Sequence, residues 1–310
     1  MNIDPTARID SHQHFWALGR GDYEWLRPDV PVLAPLIRDF STADLGPLLR
    51  AHRVTHTVLV QATDTTAETD FMLEIARRTR FVAGVVGWVD FTHEDAVSTL
   101  ERWALEPKFK GVRPMLQELR DNDWIVTSPR RDVVDALTRL DLRFDALVKP
   151  RHLEPLLRFV RLNPDLQVVV DHAAKPRIER GWSADWAAAW RRDMKLLAAE
   201  PQVTCKFSGL LIEAPPESIR TVADASNTIR PAWDHLLECF GPSRLMWGSD
   251  WPVVTLAADY GMWVHASSAL VDELSQSERG QVWRETARRF YGLDVDASGS
   301  SPVAVAAGQA

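Results

Sequence analysis

The sequence predicts a single-domain α/β fold, a (β/α)8 TIM barrel, and three observations predict it. Eight short apolar or β-branched runs alternate with helical stretches over roughly 290 residues, the size of one such barrel. The first run leads into His12-Gln13-His14-Phe15-Trp16, without the Gly-rich phosphate turn expected of an open doubly wound sheet. Nearly every run also ends in a polar or titratable residue, at the edge where barrels of this kind gather their chemistry.

The elements follow in order. Residues 1–7 read as a leader. Arg8 to His14 reads as the first strand, in which alternation turns His12 and His14 to the same side, close enough to chelate one divalent ion. Residues 15–40 are a long excursion rich in proline and aromatics, better suited to a packed lid than to disorder. Ser41 with Asp44 opens a helix in a capping-box pattern that turns Leu45, Leu48, Leu49 and His52 to one face. The second strand is Thr55 to Gln61, followed by a helix over 68–78 and a third strand from Phe81 to Val89. Thr92 is the expected cap of a helix over 93–105, and Phe109 to Arg113 is the fourth strand. Ser128-Pro129 signals a helix start that runs to about Leu140, before a fifth strand from Leu142 to Val148. A helix over 152–162, with Pro155 in its first turn, precedes Leu166 to Asp171, a continuous apolar run typical of a buried parallel strand. A helix over 184–199 rich in tryptophan and alanine, the strand Val203 to Ser208, a helix over 227–240 ended by Gly241, and the strand Arg244 to Ser249 complete the eight units. A last amphipathic helix spans 277–291 and closes at Gly292. The barrel is thus expected over 8–294, with a disordered tail over 295–310.

Composition narrows the function classes. The net charge is −7, which argues against a nucleic-acid partner. No apolar run is long enough to cross a membrane, and the N-terminus carries no signal-peptide pattern. Two cysteines, Cys205 and Cys239, are too few for a disulfide framework, so a cytoplasmic location is expected. Thirteen tryptophans exceed ordinary use, and tryptophan stacks well on the apolar face of a sugar ring. The composition is compatible with a homo-oligomer.

The strand ends carry His12 and His14, then Gln61, Trp88 and Asp90, Arg113, Asp145 and Lys149, then Asp171, His172 and Lys175, Lys206 and Ser208, and lastly Asp250 and Trp251. Each has a plainer reading. His172 can be a hydrogen-bonded strand-end histidine, Asp250 can shape a turn, Lys206 can snorkel beside the core, and Arg113 can be an ion-pair partner. The remaining histidines, His52, His56, His93, His152, His235 and His265, read as structural or solvent-facing. The shared edge is what distinguishes the set from scattered surface charge.

Five motifs, His12-Gln13-His14-Phe15-Trp16, Lys110-Gly111-Val112-Arg113-Pro114, Val170 through Pro176, Lys206-Phe207-Ser208-Gly209-Leu210 and Trp247 through Pro252, give a resemblance that runs from residue 9 to about 291. The chain resembles the amidohydrolase superfamily and, within it, a branch of lactonases acting on sugar lactones such as L-fucono- or L-rhamnonolactone. The resemblance implies a distorted barrel, lactone hydrolysis, Asp250 as general base, and His12, His14 and His172 as the strand-one and strand-six histidines. The chain departs from binuclear members. Strand four ends in Arg113 where those offer a bridging lysine or glutamate, and strand five offers Asp145 and Lys149 where those offer a histidine. Two metal ions are therefore not expected. One zinc- or manganese-like ion on His12, His14 and Asp250 is.

The expected reaction opens a lactone. Asp250 takes a proton from water and returns it to the leaving hydroxyl, with His172 beside it. An ion on the histidine pair, or the histidines with Lys175 or Arg113, polarises the carbonyl. No G-x-S-x-G elbow is present and neither cysteine has an evident histidine partner, which disfavours an acyl-enzyme. Trp16, Trp25, Trp88 and Trp251 are expected to wall the pocket, with Gln61, Asp90 and Arg113 reading sugar hydroxyls. The alternatives are a metal-dependent non-oxidative decarboxylase of the same superfamily and a barrel that binds sugar acids without turnover.

Overall fold

The computed structural model describes residues 7–295. Apart from Ala7 and Val295, the expected leader and tail lie outside the described residues. Eight parallel strands run side by side in sequence order: β1 (Arg8–Gln13), β2 (Val54–Val60), β3 (Val82–Gly87), β4 (Phe109–Val112), β5 (Arg143–Ala146), β6 (Val168–Val170), β7 (Val203–Phe207) and β8 (Leu245–Trp247). The predicted (β/α)8 barrel is borne out. Ile9, Val58, Val86, Val169 and Met246, from strands on opposite sides, pack together with Phe290, Tyr291 and Leu293, so the C-terminal segment plugs the closed end of the barrel. The larger apolar cluster lies between the strands and the surrounding helices. Among the described residues no helix is long and apolar enough to cross a membrane.

Two irregularities shape the open end. Pairing along β1 advances by three residues, Asp10 to Gln13, while β2 advances by two, Thr57 to Leu59. This bulge re-aims the strand, so that Ile9 points into the plug and His12, three residues on, also points inward. The second irregularity is the seam between β1 and β8. No regular ladder joins them; Asp250 N–H donates to His12 O (2.8 Å) and His14 N–H donates to Trp251 O (2.7 Å). The buried Asp10 carboxylate accepts from Ser249 N–H (2.8 Å) and His12 N–H (3.2 Å).

The helices are α1 (Thr42–Ala51), α2 (Thr66–Arg78), α3 (Ala96–Ala104), α4 (Trp124–Thr127), α5 (Arg131–Arg139), α6 (Leu153–Leu162), α7 (Asp185–Ala198), α8 (Val222–Phe240), α9 (Tyr260–Val271), α10 (Gln276–Gly280) and α11 (Thr286–Phe290). The Ser41–Asp44 capping box is present. Four expectations need correction. Thr92 does not cap α3; its N–H and hydroxyl donate to Asp90 in a turn, and Asp95 stands at the N-cap. Ser128 closes α4 rather than opening α5, because the chain turns once more before Arg131. Helix α8 begins at Val222, since Thr221 and Asp224 form a capping box one turn earlier, and it continues through Pro231. The last helix is broken by a π-helical turn over Gln281–Glu285. Helix α9 was not predicted. It is buried along much of its length, through Tyr260, Trp263, Val264, Leu270 and Val271 among others, so it shows no amphipathic period.

The excursion over 15–40 is ordered. Trp16 bridges to Phe40, and Trp25 Nε1–H donates to Ala62 O at the end of β2 (2.7 Å), which ties the lid to the barrel mouth.

Candidate active site

The sequence places a polar residue at each strand end, and the folded chain gathers a subset of them. At the base of the open end stand His12 in β1 and His14 just after it, Arg113 after β4, His172 and Lys175 after β6, and Asp250 after β8. His14, Arg113, His172, Lys175 and Asp250 line a cavity of about 260 Å³. Its other wall is largely apolar and includes Trp25, Met115, Leu147 and Val253. A separate cleft of about 420 Å³ opens beside the start of β1, lined by Arg8, His52, His265 and Trp283 among others; it holds none of the strand-end groups.

Three imidazoles turn their Nε2 atoms onto one oxygen. Asp250 Oδ1 lies 3.3 Å from His14 Nε2, 3.7 Å from His12 Nε2 and 3.8 Å from His172 Nε2. Each ring is fixed from behind. His14 Nδ1 lies 2.7 Å from Val60 O, and a carbonyl only accepts, so Nδ1 carries the proton. His172 Nδ1 shares a hydrogen bond of 2.9 Å with Ser208 Oγ. His12 Nδ1 lies 3.0 Å from Lys206 Nζ and 3.5 Å from Asp171 Oδ1. Outer partners of this kind set ring orientation and tautomer at metal and acid–base sites.

Burial pushes the histidines toward the neutral form: His172 is held down to about 4, His14 is lowered, and His12 is lowered well below its usual value, with Lys206 adding to the effect. Burial alone would raise the Asp250 carboxyl, but His172, His14 and His12 outweigh it and hold it well below the usual range. A neutral His14 protonated at Nδ1 therefore presents a bare Nε2 lone pair to a carboxylate oxygen at 3.3 Å. Nε2 and Oδ1 together offer two ligand atoms to a cation. His12, His14 and Asp250 bring their ligand atoms within 4.8 Å of one another, a set that suits a zinc-type ion.

Local backbone geometry supports this gathering. His172, Ala173, Ala174 and Lys175 all have positive φ, between 51° and 59°. This left-handed turn closes with Lys175 N–H donating to His172 O (2.8 Å) and brings both side chains to the cavity. At roughly 1–2 kcal/mol per non-glycine residue, the turn holds several kcal/mol of strain that the surrounding packing offsets. Gly209 makes room for it: its φ is +67°, and a Cβ there would sit 2.7 Å from His172 Nδ1. Lys175 is half-buried, its ammonium makes no hydrogen bond among the described residues, and burial lowers its pKa while Asp250 and Glu213 oppose the shift.

Several expected residues stand elsewhere. Trp16 and Trp251 do not line this cavity; both pack against Phe40 beneath the lid, and Trp16 Nε1–H donates to Arg38 O. Trp88 is half-buried and its backbone pairs with Thr69, away from the cavity. Asp90 accepts from Thr92 instead of facing a substrate. Gln61 is engaged with Arg113: its Nε2–H donates to Arg113 O (2.7 Å) and the guanidinium donates back to its Oε1 (3.3 Å), so Gln61 positions Arg113. Lys206 does not snorkel; it is fully buried and ion-paired with Asp145 (2.5 Å) and Asp171 (2.9 Å). Cys239 does have a histidine neighbour, His235 on the preceding turn of α8, but that ring's Nε2 is held by Arg191 O. Sequence reasoning missed Met115, Gln117 and Glu118 of the cavity wall, which follow β4 in a loop with no period to read.

A carboxylate met by three imidazoles at the C-terminal mouth of an eight-stranded parallel barrel defines the class: a (β/α)8 hydrolase. The chain belongs to the amidohydrolase family, whose model matches residues 9–293. It is 44% identical over 295 residues to an L-fucono-1,5-lactonase of Burkholderia ambifaria, covering 93% of this chain and 97% of that protein. It is 36% identical to an L-fucono-1,5-lactonase of Burkholderia multivorans, again over 93% and 97% of the two chains. A crystal structure of an amidohydrolase from Burkholderia multivorans with bound zinc superposes with a TM-score of 0.84 at 34% identity, covering 93% of this chain and 99% of that one.

Proposed function

We propose that this chain is a sugar lactonase, opening an aldonolactone to its sugar acid, with L-fucono-1,5-lactone the first substrate to test. The observation that carries the reading is the convergence of three imidazole Nε2 atoms on Asp250 Oδ1 at the base of a cavity that also presents Lys175 and Arg113. The two fucono-lactonase relatives support it. A cavity of about 260 Å³ is small beside ligand pockets of about 300–1,000 Å³, and suits one sugar ring over a longer glycan. Its mixed lining, two cations facing Trp25, Met115, Leu147 and Val253, suits a neutral ring with one apolar face.

Asp250 is ionised at neutral pH and takes a proton as water adds to the lactone carbonyl. The oxyanion that forms faces the Lys175 ammonium and the Arg113 guanidinium, fixed charges in a site sheltered from solvent. As the bond from carbonyl carbon to ring oxygen breaks, Asp250 returns its proton to that oxygen, and the new carboxylic acid ionises into solvent. His172, its Nδ1 held by Ser208 from behind, keeps its Nε2 turned toward the Asp250 carboxylate through the cycle. His12, His14 and Asp250 would hold one zinc- or manganese-like ion, which supplies a lowered water pKa and polarisation of the carbonyl. The Burkholderia multivorans amidohydrolase structure holds bound zinc, which supports the choice of ion.

The test is a pH-indicator assay across a panel of aldonolactones. The wild type is expected to open at least one of them, and Asp250→Asn is expected to lose roughly 10²–10⁴-fold in rate. Failure to open any lactone in the panel overturns the proposal.

A further inference from the structure

His12 belongs to two donor sets. Through Nε2 it faces Asp250 and joins His14; through Nδ1 it faces Asp171 and joins His172. The second set is as buried as the first and has the donor chemistry of a second divalent-ion site. Lys206 stands against that set. Its Nζ lies 2.9 Å from Asp171 Oδ1, 3.0 Å from His12 Nδ1 and 2.5 Å from Asp145 Oδ2, with no exposure to solvent. Arg113 lies 3.6 Å from the other Asp171 oxygen. Asp145 and Asp171 bring two negative charges, and Lys206 and Arg113 bring two positive ones, so this compartment is already neutral.

We propose that the Lys206 ammonium is a built-in second cation, seated on Asp145 and Asp171 in place of a metal ion, and that it limits the barrel to the one ion of the His12–His14–Asp250 set. A divalent ion added beside Lys206 and Arg113 would raise a dry, neutral compartment by two charges, which a buried site opposes strongly. Removing the ammonium leaves Asp145 and Asp171 with Arg113 alone, a net negative pocket with imidazole nitrogens already in place. Lys206 is thus a positioning residue: it holds the Asp171 carboxylate that faces His12 Nδ1, while His12 Nε2 faces Asp250.

This inference rests on the ion reading above only for its baseline, and metal counting separates the two. Wild type and Lys206→Ala are stripped with chelator, desalted, titrated with Zn²⁺, desalted again and counted by mass spectrometry. The wild type is expected to retain no more than one ion, and Lys206→Ala one more than the wild type. A wild-type count of zero removes the ion from the proposed function yet leaves this inference to the difference between the two proteins. Two ions on the wild type, or a folded Lys206→Ala that retains no more than the wild type, overturns it. Should Lys206→Ala fail to fold, the wild-type titration decides alone: one ion or none supports the inference and two overturn it.

Discussion

Gly209→Ala tests how the site is held. Gly209 follows β7 with φ +67°, and an added Cβ would lie 2.7 Å from His172 Nδ1, 2.8 Å from Cγ and 3.0 Å from the ring's own Cβ. Ordinary contact begins at 3.4 Å, so the ring must retreat by about 0.7 Å, the difference between 3.4 and 2.7. That retreat breaks or lengthens the 2.9 Å hydrogen bond to Ser208 Oγ and turns Nε2 away from Asp250. A misplacement approaching 1 Å can lower a rate by about 10²-fold, so kcat/KM is expected to fall by roughly 10–100-fold. The left-handed backbone adds a stability loss of about 1–2 kcal/mol, a few degrees in Tm for a domain of this size. Gly21→Ala separates the two effects, because Gly21 has φ +77° with nothing within 4 Å of the added Cβ. It is expected to lose stability and keep its rate. The assay is initial rates on the opened lactone beside thermal melts of both variants. If Gly209→Ala turns over at the wild-type rate, His172 does not need the position described, and the account of the left-handed turn is refuted.

Three other perturbations follow from the same geometry. Lys175→Met removes a half-buried ammonium that makes no hydrogen bond among the described residues, so stability should change little while the rate falls by roughly 10²–10³-fold; an unchanged rate would remove Lys175 from oxyanion stabilisation. Protein purified without chelator should carry close to one zinc-type ion per chain, and His14→Ala should carry none; equal metal in both would place the ion elsewhere. Burial raises Glu68 to about 7 in the folded chain, against hydrogen bonds from Thr63 and Ala62 that lower it. The folded chain therefore binds more protons than the unfolded one between about 4.5 and 7, so this group stabilises the fold below pH 4.5 and loses up to about 3 kcal/mol as pH rises through 7. Urea denaturation across that range should show a shallower decline for Glu68→Gln, and parallel curves would refute the assignment.

The barrel was legible because apolar runs such as Val168-Val169-Val170 cannot sit half-exposed, and eight of them alternate with helices. The edge that carries the chemistry was legible for the same reason. The direction of each side chain at that edge was not. His12 faces inward only because a bulge in β1 inserts a residue against β2, and pairing of that kind is a property of two strands together. Asp90 and Gln61 stand at the expected edge but are held by Thr92 and Arg113, partners that sequence order does not announce. Lys206 reads as a core-edge lysine until Asp145, two strands away on β5, and Asp171, just after β6, are seen to reach it. Helix α9 escaped because burial along most of its length erases the period by which helices are recognised.

The most direct test of the central claim is the rate of L-fucono-1,5-lactone opening by the wild type and by Asp250→Asn, each shown to be folded by circular dichroism. The account predicts rapid, saturable opening by the wild type, with Asp250→Asn slower by about 10²-fold or more. Opening by Asp250→Asn at the wild-type rate would contradict it, because the carboxylate on which three imidazoles converge would then take no part in the reaction.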